Sequence, residues 1–93
     1  MRIDFTKVIV HDLGGNAIEL KVDNRQVAND WYFSARDIRE TDMARSIYDH
    51  GYVELSDDGI ALLQGFIRRS FFLPVQQEYL RQIDEWKGKE GRS

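Results

Sequence analysis

The groups in this chain that could act as nucleophile or proton carrier are few. Without a cysteine, the nucleophile candidates are Ser34, Ser46, Ser56, Ser70 and Thr6, and the histidines are His11 and His50. A hydroxyl becomes reactive when a base is held against it and a sharp turn or helix presents it, as in Gly-x-Ser-x-Gly or Ser-x-x-Lys. No serine here stands in either frame. His11 falls at the edge of a turn. His50 falls at the end of a helical stretch, where the helix dipole favours a protonated imidazole without any further role. Asp12 beside His11, Asp49 beside His50, and the pair Asp57 and Asp58 offer metal-binding atoms, but without the spacing that zinc or calcium sites need. Asp49 and His50 are also neighbours on a helix and do not share a face. Gly14 and Gly15 lead into a strand, whereas a phosphate-cradling loop leads into a helix. The expectation is a chain with no catalytic site, no metal and no cofactor.

A surplus of aromatic residues remains. Trp31, Tyr32 and Phe33 are consecutive, and on a helix they cover roughly 200° of the surface. They cannot all face one core. Trp31 lies on the stripe of Val27 and Ala35, which leaves Tyr32 or Phe33 outside. Phe71 and Phe72 follow Arg68 and Arg69 and precede Pro74, and again both rings cannot point the same way. Aromatic side chains flanked by arginine are favoured at protein interfaces and on single-stranded nucleic acid. The alternative is a helix with a wide apolar face buried by two neighbours. With 93 residues the core is thin, so a large apolar side chain left outside it calls for a partner. The candidate partner-binding residues are Tyr32, Phe33, Arg68, Arg69, Phe71, Phe72 and Trp86.

These residues need elements to hold them. Over residues 2–10, Ile3 and Phe5 alternate with polar neighbours, and Val8 and Val10 continue the alternation out of phase. The shift at Thr6 and Lys7 predicts a bulge. Residues 17–22 alternate as a second strand, with Ile18, Leu20 and Val22 on one side. Gly14, Gly15 and Asn16 between the runs predict a hairpin. From Asp23 the period changes to that of a helix, over about 24–36 with Asp23 as cap. A second helix is predicted over about 41–50, with Thr41 as cap and Gly51 as terminator. Tyr52–Leu55 reads as a short third strand paired with the hairpin. Ser56 is placed to cap a helix beginning near Asp57 and Asp58, which Pro74 ends or kinks. A last helical stripe of Val75, Tyr79, Leu80, Ile83 and Trp86 runs to about residue 87. The expected fold is α+β in the order β-β-α-α-β-α-α, a small antiparallel sheet covered by helices. Residues 1–87 are read as one domain and 88–93, which lack any apolar residue, as a frayed tail.

Composition narrows the class. Hydrophobic residues make up 42% and charged residues 31%, which suits a globular chain and not a disordered one. Small secreted domains commonly carry disulfides, so the absence of cysteine points to the cytoplasm. Asp4 and Lys7 interrupt the first ten residues, so they do not form a signal-peptide apolar core. No run approaches the ~18 apolar residues of a membrane span. The net charge of −3 disfavours nucleic acid. The charge is uneven, however, with 7 Lys/Arg against 12 Asp/Glu over 1–60, and 6 against 4 over 61–93.

The frame Val10-x-Asp12-x-Gly14-x-Asn16, followed by Ala44-x-x-Ile47-Tyr48-x-x-Gly51-x-Val53-Glu54-Leu55-Ser56-Asp57, resembles short phage- and prophage-encoded proteins of unknown function. The resemblance spans residues 3–70 and implies an accessory protein that binds a host or phage component. It carries no functional residues across. The expected function is thus a non-enzymatic protein–protein interaction module. One alternative is a homo-oligomeric assembly component, with Phe71, Phe72, Tyr79 and Trp86 forming a symmetric interface. Another is a nucleic-acid binder using Arg68, Arg69, Arg81, Lys87, Lys89 and Arg92.

Overall fold

The computed structural model describes residues 1–89. The elements are β1 (Arg2–Asp4), β2 (Lys7–His11), β3 (Ala17–Lys21), α1 (Asn24–Ser34), α2 (Ile38–His50), β4 (Tyr52–Glu54), α3 (Ile60–Ser70) and α4 (Leu73–Lys89). The fold is α+β as expected, but the sheet is divided. β1 pairs antiparallel with β4, and β2 pairs antiparallel with β3. The division falls where the sequence shifts phase. Asp4 Oδ1 accepts hydrogen bonds from the Thr6 amide at 2.7 Å and the Thr6 hydroxyl at 2.6 Å. That local bond takes the Thr6 amide out of the ladder, so the expected bulge becomes a break. Tyr52–Glu54 accordingly joins β1 and not the hairpin proper. The two ladders meet at the bend, where the Phe5 amide donates to Gly51 O at 2.7 Å and the Val22 amide donates to Thr6 O at 2.8 Å.

Local chemistry sets the helix ends. Asp23 caps α1, its side chain accepting from the Arg25 and Gln26 amides. α2 begins at Ile38, earlier than predicted, because Asp37 and Glu40 form a reciprocal capping box. Thr41 lies inside the helix, its hydroxyl donating to Ile38 O at 2.6 Å. Gly51 terminates α2 at φ 80°, as its position predicts. A β-carbon there would stand 2.5 Å from Thr6 Cγ2, so both the conformation and the close approach require glycine. α3 starts at Ile60. Ser56 sits one turn earlier, its hydroxyl accepting from the Gly59 amide at 3.3 Å, and Asp57 and Asp58 belong to that turn. Phe71 is extended and separates α3 from α4. Pro74 lies in the first turn of α4, where its missing N–H leaves no bond unmade. α4 continues through Gly88 to Lys89, and Lys89 Nζ meets Glu85 Oε1 at 3.2 Å. The predicted fraying therefore does not begin at residue 88, and residues 90–93 lie outside the described residues.

The core fills the space between the strands and α1–α4. Trp31 stacks flat on Phe66, with ring centroids 4.4 Å apart and planes at 3°. Phe5 meets Tyr79 at 4.8 Å, and Phe71 stands edge-on to both Phe66 and Tyr79. Burying each such ring is worth about 1.5–3 kcal/mol. The Tyr79 hydroxyl donates to Asp4 O at 3.0 Å, which ties α4 to the bend between β1 and β2. Burial pushes the Tyr79 phenol far above its ordinary 10.0. No helix among the described residues is long and apolar enough to cross a membrane.

Candidate interaction surface

The C-terminal ends of α1 and α3 and the N-terminal end of α2 converge on one carboxylate. Glu40 is buried, and all its hydrogen-bonding partners come from this corner. Its Oε1 accepts from the Trp31 indole at 2.9 Å. Its Oε2 accepts from the Arg36 amide at 3.0 Å and the Asp37 amide at 3.2 Å. Arg69 Nη2 lies 3.5 Å from Glu40 Oε1 and 3.4 Å from the Ser34 hydroxyl. Burial drives the Glu40 carboxyl upward, but the indole, the Arg36 amide, Arg69 and the Asp37 amide outweigh it and hold the group below its ordinary 4.5. Asp37 is held down to about 2, chiefly by the hydrogen bond from the Arg39 side chain. The corner is thus a fixed polar hub beneath the surface. Sequence reasoning missed Glu40. The signal was present as Asp37-x-x-Glu40, an acid three residues after a capping acid.

Three large apolar side chains near the α1–α2 turn are left on the surface. α1 turns about 100° per residue, so with Trp31 inward Phe33 points to the opposite side. Phe33 is 86% exposed, Ile38 75% and Tyr32 42%. The Tyr32 and Phe33 rings meet edge-on at 5.6 Å. Phe33 and Ile38 flank the short α1–α2 turn. The Glu40 hub itself opens into a groove of about 690 Å³ lined by Ser34, Arg36, Asp37, Glu40, Leu62 and Arg69. The Arg69 guanidinium also lies 5.4 Å from the Phe66 ring centroid, so the cation is held over the core at the groove wall.

The candidate residues divide accordingly. Tyr32 and Phe33 meet each other on α1, Tyr32 also lining a groove with Arg45 and Tyr48, whereas Arg69 lies at the separate Glu40 groove. Arg68 and Phe72 are also exposed, at the end of α3 and in the α3–α4 link. Phe71 is half-buried and Trp86 is buried. Phe71 packs against the core between Phe5, Phe66 and Tyr79, and Trp86 is buried on the inner face of α4. The symmetric interface imagined from Phe71, Phe72, Tyr79 and Trp86 therefore has Phe72 as its one exposed member. The reason is general to a small domain, since the inner stripe of α4, with Val75, Tyr79, Ile83 and Trp86, is needed to seal the core.

Three of the candidate hydroxyls donate to local groups. Ser34 donates to Trp31 O, Ser46 to Tyr52 O, and Thr6 to Asp4. His50 stacks on Tyr52 at 5.5 Å, and His11 lines a shallow groove with Glu78 and Arg81. Among the described residues no cluster of His, Asp or Glu could hold a metal ion. In the basic C-terminal third, Arg81 bridges Glu78 and Glu85, Lys89 joins Glu85, and Arg69 pairs with Glu40. No protein-family model, curated protein or solved structure matches the chain.

Proposed function

We propose that this chain is a non-enzymatic protein–protein interaction module, of the kind an accessory or inhibitor protein of a phage would use in the cytoplasm. The observation that carries the reading is the exposed aromatic pair Tyr32–Phe33 at the C-terminal end of α1, with Ile38 exposed across the short α1–α2 turn. A protein that can bury Trp31, Phe66 and Tyr79 completely has the means to bury Phe33, yet its helix register turns Phe33 out. Aromatic side chains are the usual centres of binding energy at protein interfaces. The internal pairing of Arg81 and Lys89 and the net charge of −3 favour a protein partner over nucleic acid.

The test is a tagged pull-down from bacterial lysate, with and without nuclease, read by mass spectrometry. The expected result is a stoichiometric protein partner that survives nuclease. Recovery of the bait alone, or of partners that vanish with nuclease, would overturn the reading.

A further inference from the structure

We propose that the free edge of β3 pairs with the same edge of a second copy of this chain, antiparallel about Leu20, joining the two hairpins into one four-stranded sheet. The surface involved is separate from the Phe33 corner and does not depend on it.

The hairpin's own hydrogen bonds determine what that edge presents. The Val22 amide bonds to Thr6 O, and the Asp12 amide bonds to Asn16 O, at the two ends of the ladder. Bonded and non-bonded pairs alternate between them. The pairs Val8–Leu20 and Val10–Ile18 therefore exchange hydrogen bonds, and the pairs Lys7–Lys21, Ile9–Glu19 and His11–Ala17 do not. The backbone groups of Ala17, Glu19 and Lys21 point away from β2, along an edge that no described element covers. Every residue of β3 is exposed. Ile18 and Leu20 share the inner face with the buried Val8 and Val10, yet remain about two-fifths exposed. An uncovered edge with apolar neighbours is the form of strand that adds to another strand.

The side chains select the occupant and its register. Pairing two copies about Glu19 sets Glu19 against Glu19. Pairing about Lys21 sets Lys21 against Lys21. Pairing about Leu20 sets Glu19 opposite Lys21 of the second copy, and Lys21 opposite Glu19 of the second copy, with Ile18, Leu20 and Val22 forming a shared apolar row. This register also has the right parity, because Glu19 and Lys21 are the residues with free amides and carbonyls. It supplies an ion pair that the single chain lacks. Lys21 stands directly across from Lys7, a like-charge arrangement that is unfavourable. Lys7 is 3.7 Å from Glu19, while Lys21 has no ion pair among the described residues. The edge is short, so the dimer is of modest affinity.

Sedimentation of the intact chain over a rising concentration series, with charge-swapped variants, tests the pairing. The wild type is expected to pass from monomer to dimer. E19K and K21E, each of which sets like charges opposite one another across the twofold, are expected to dimerise about tenfold more weakly. Mixing the two variants is expected to restore a dimer, because one strand then carries two lysines and the other two glutamates. L20C offers a second readout if either swap disturbs the hairpin. Facing non-bonded residues of antiparallel strands have Cα atoms about 4.5 Å apart, within disulfide range. L20C should therefore oxidise to a covalent dimer in a chain with no other cysteine. A wild type that stays monomeric at millimolar concentration, or a dimer that neither swap weakens and that mixing does not restore, would overturn the proposal.

Discussion

In the β1–β4 ladder, Ile3 stands opposite Val53, and both are sealed in the core. In the β2–β3 ladder, Val8 stands opposite Leu20 and Val10 opposite Ile18, yet only the β2 member of each pair is buried. Both ladders are two-stranded and antiparallel, with β-branched or aliphatic residues on the inward-facing side. They differ in what lies over them. α2 and the Gly51 turn lead directly into β4, and α4 packs across β2, whereas every residue of β3 stays exposed. The alternation of apolar residues thus sets which face of a strand looks inward. The placement of helices then decides whether anything is there to meet it.

This contrast can be broken or sharpened by substitution. The largest effect is expected from Ile3→Ala, which opens a cavity in the sealed ladder and should lower the unfolding free energy by about 2–5 kcal/mol in urea titration. A loss below about 1 kcal/mol would show that the β1–β4 ladder is not sealed as described. Glu40→Ala should cost about 2–3 kcal/mol, because the Trp31 indole and the Arg36 and Asp37 amides lose their acceptor together. Gly51→Ala should cost about 1–2 kcal/mol from the left-handed conformation alone, and the contact with Thr6 adds to it. Ile18→Ala on β3 should change monomer stability by less than about 1 kcal/mol, and a larger loss would mean that the exposed row is packed after all.

The hub also makes a statement about pH. Glu40 and Asp37 both have carboxyl groups held below their ordinary values in the folded chain, so the unfolded chain binds protons more readily. Their stabilisation is complete above the ordinary 4.5 of a glutamate and is lost as pH falls, for Asp37 between 3.8 and about 2. Acid titration of Glu40→Gln should show a shallower fall in stability over this range than the wild type. An identical slope would remove Glu40 from the account.

Much of the architecture was legible because it rests on local rules. The Gly14–Gly15 turn, the Asp23 cap, the Gly51 terminator and the helical stripes all follow from residue type and spacing. Asp12 completes that turn by accepting from the Gly14 and Asn16 amides at 2.9 Å. What escaped were decisions between elements. The phase shift at Thr6 marked a disturbance, but whether it was a bulge or a break depended on where β4 came to lie. The α2 start was misplaced because Thr41 and Asp37 are both acceptable caps, and the reciprocal bond with Glu40 favours Asp37. Of the aromatic candidates, Phe33 was separable from Trp31 by helical angle. By sequence spacing, Phe71 and Trp86 fall on helical apolar stripes that point inward, yet their residue types also suit an interface, and the choice between the two depends on what α4 covers.

The measurement closest to the central claim is a quantitative comparison of partner capture by the wild type, Phe33→Ser and Ile18→Ser, each checked for an unchanged far-UV circular dichroism spectrum. The account predicts that a nuclease-resistant partner of the wild type is lost with Phe33→Ser and retained with Ile18→Ser. A partner captured equally well by Phe33→Ser would contradict it and remove the α1–α2 corner as the interaction surface.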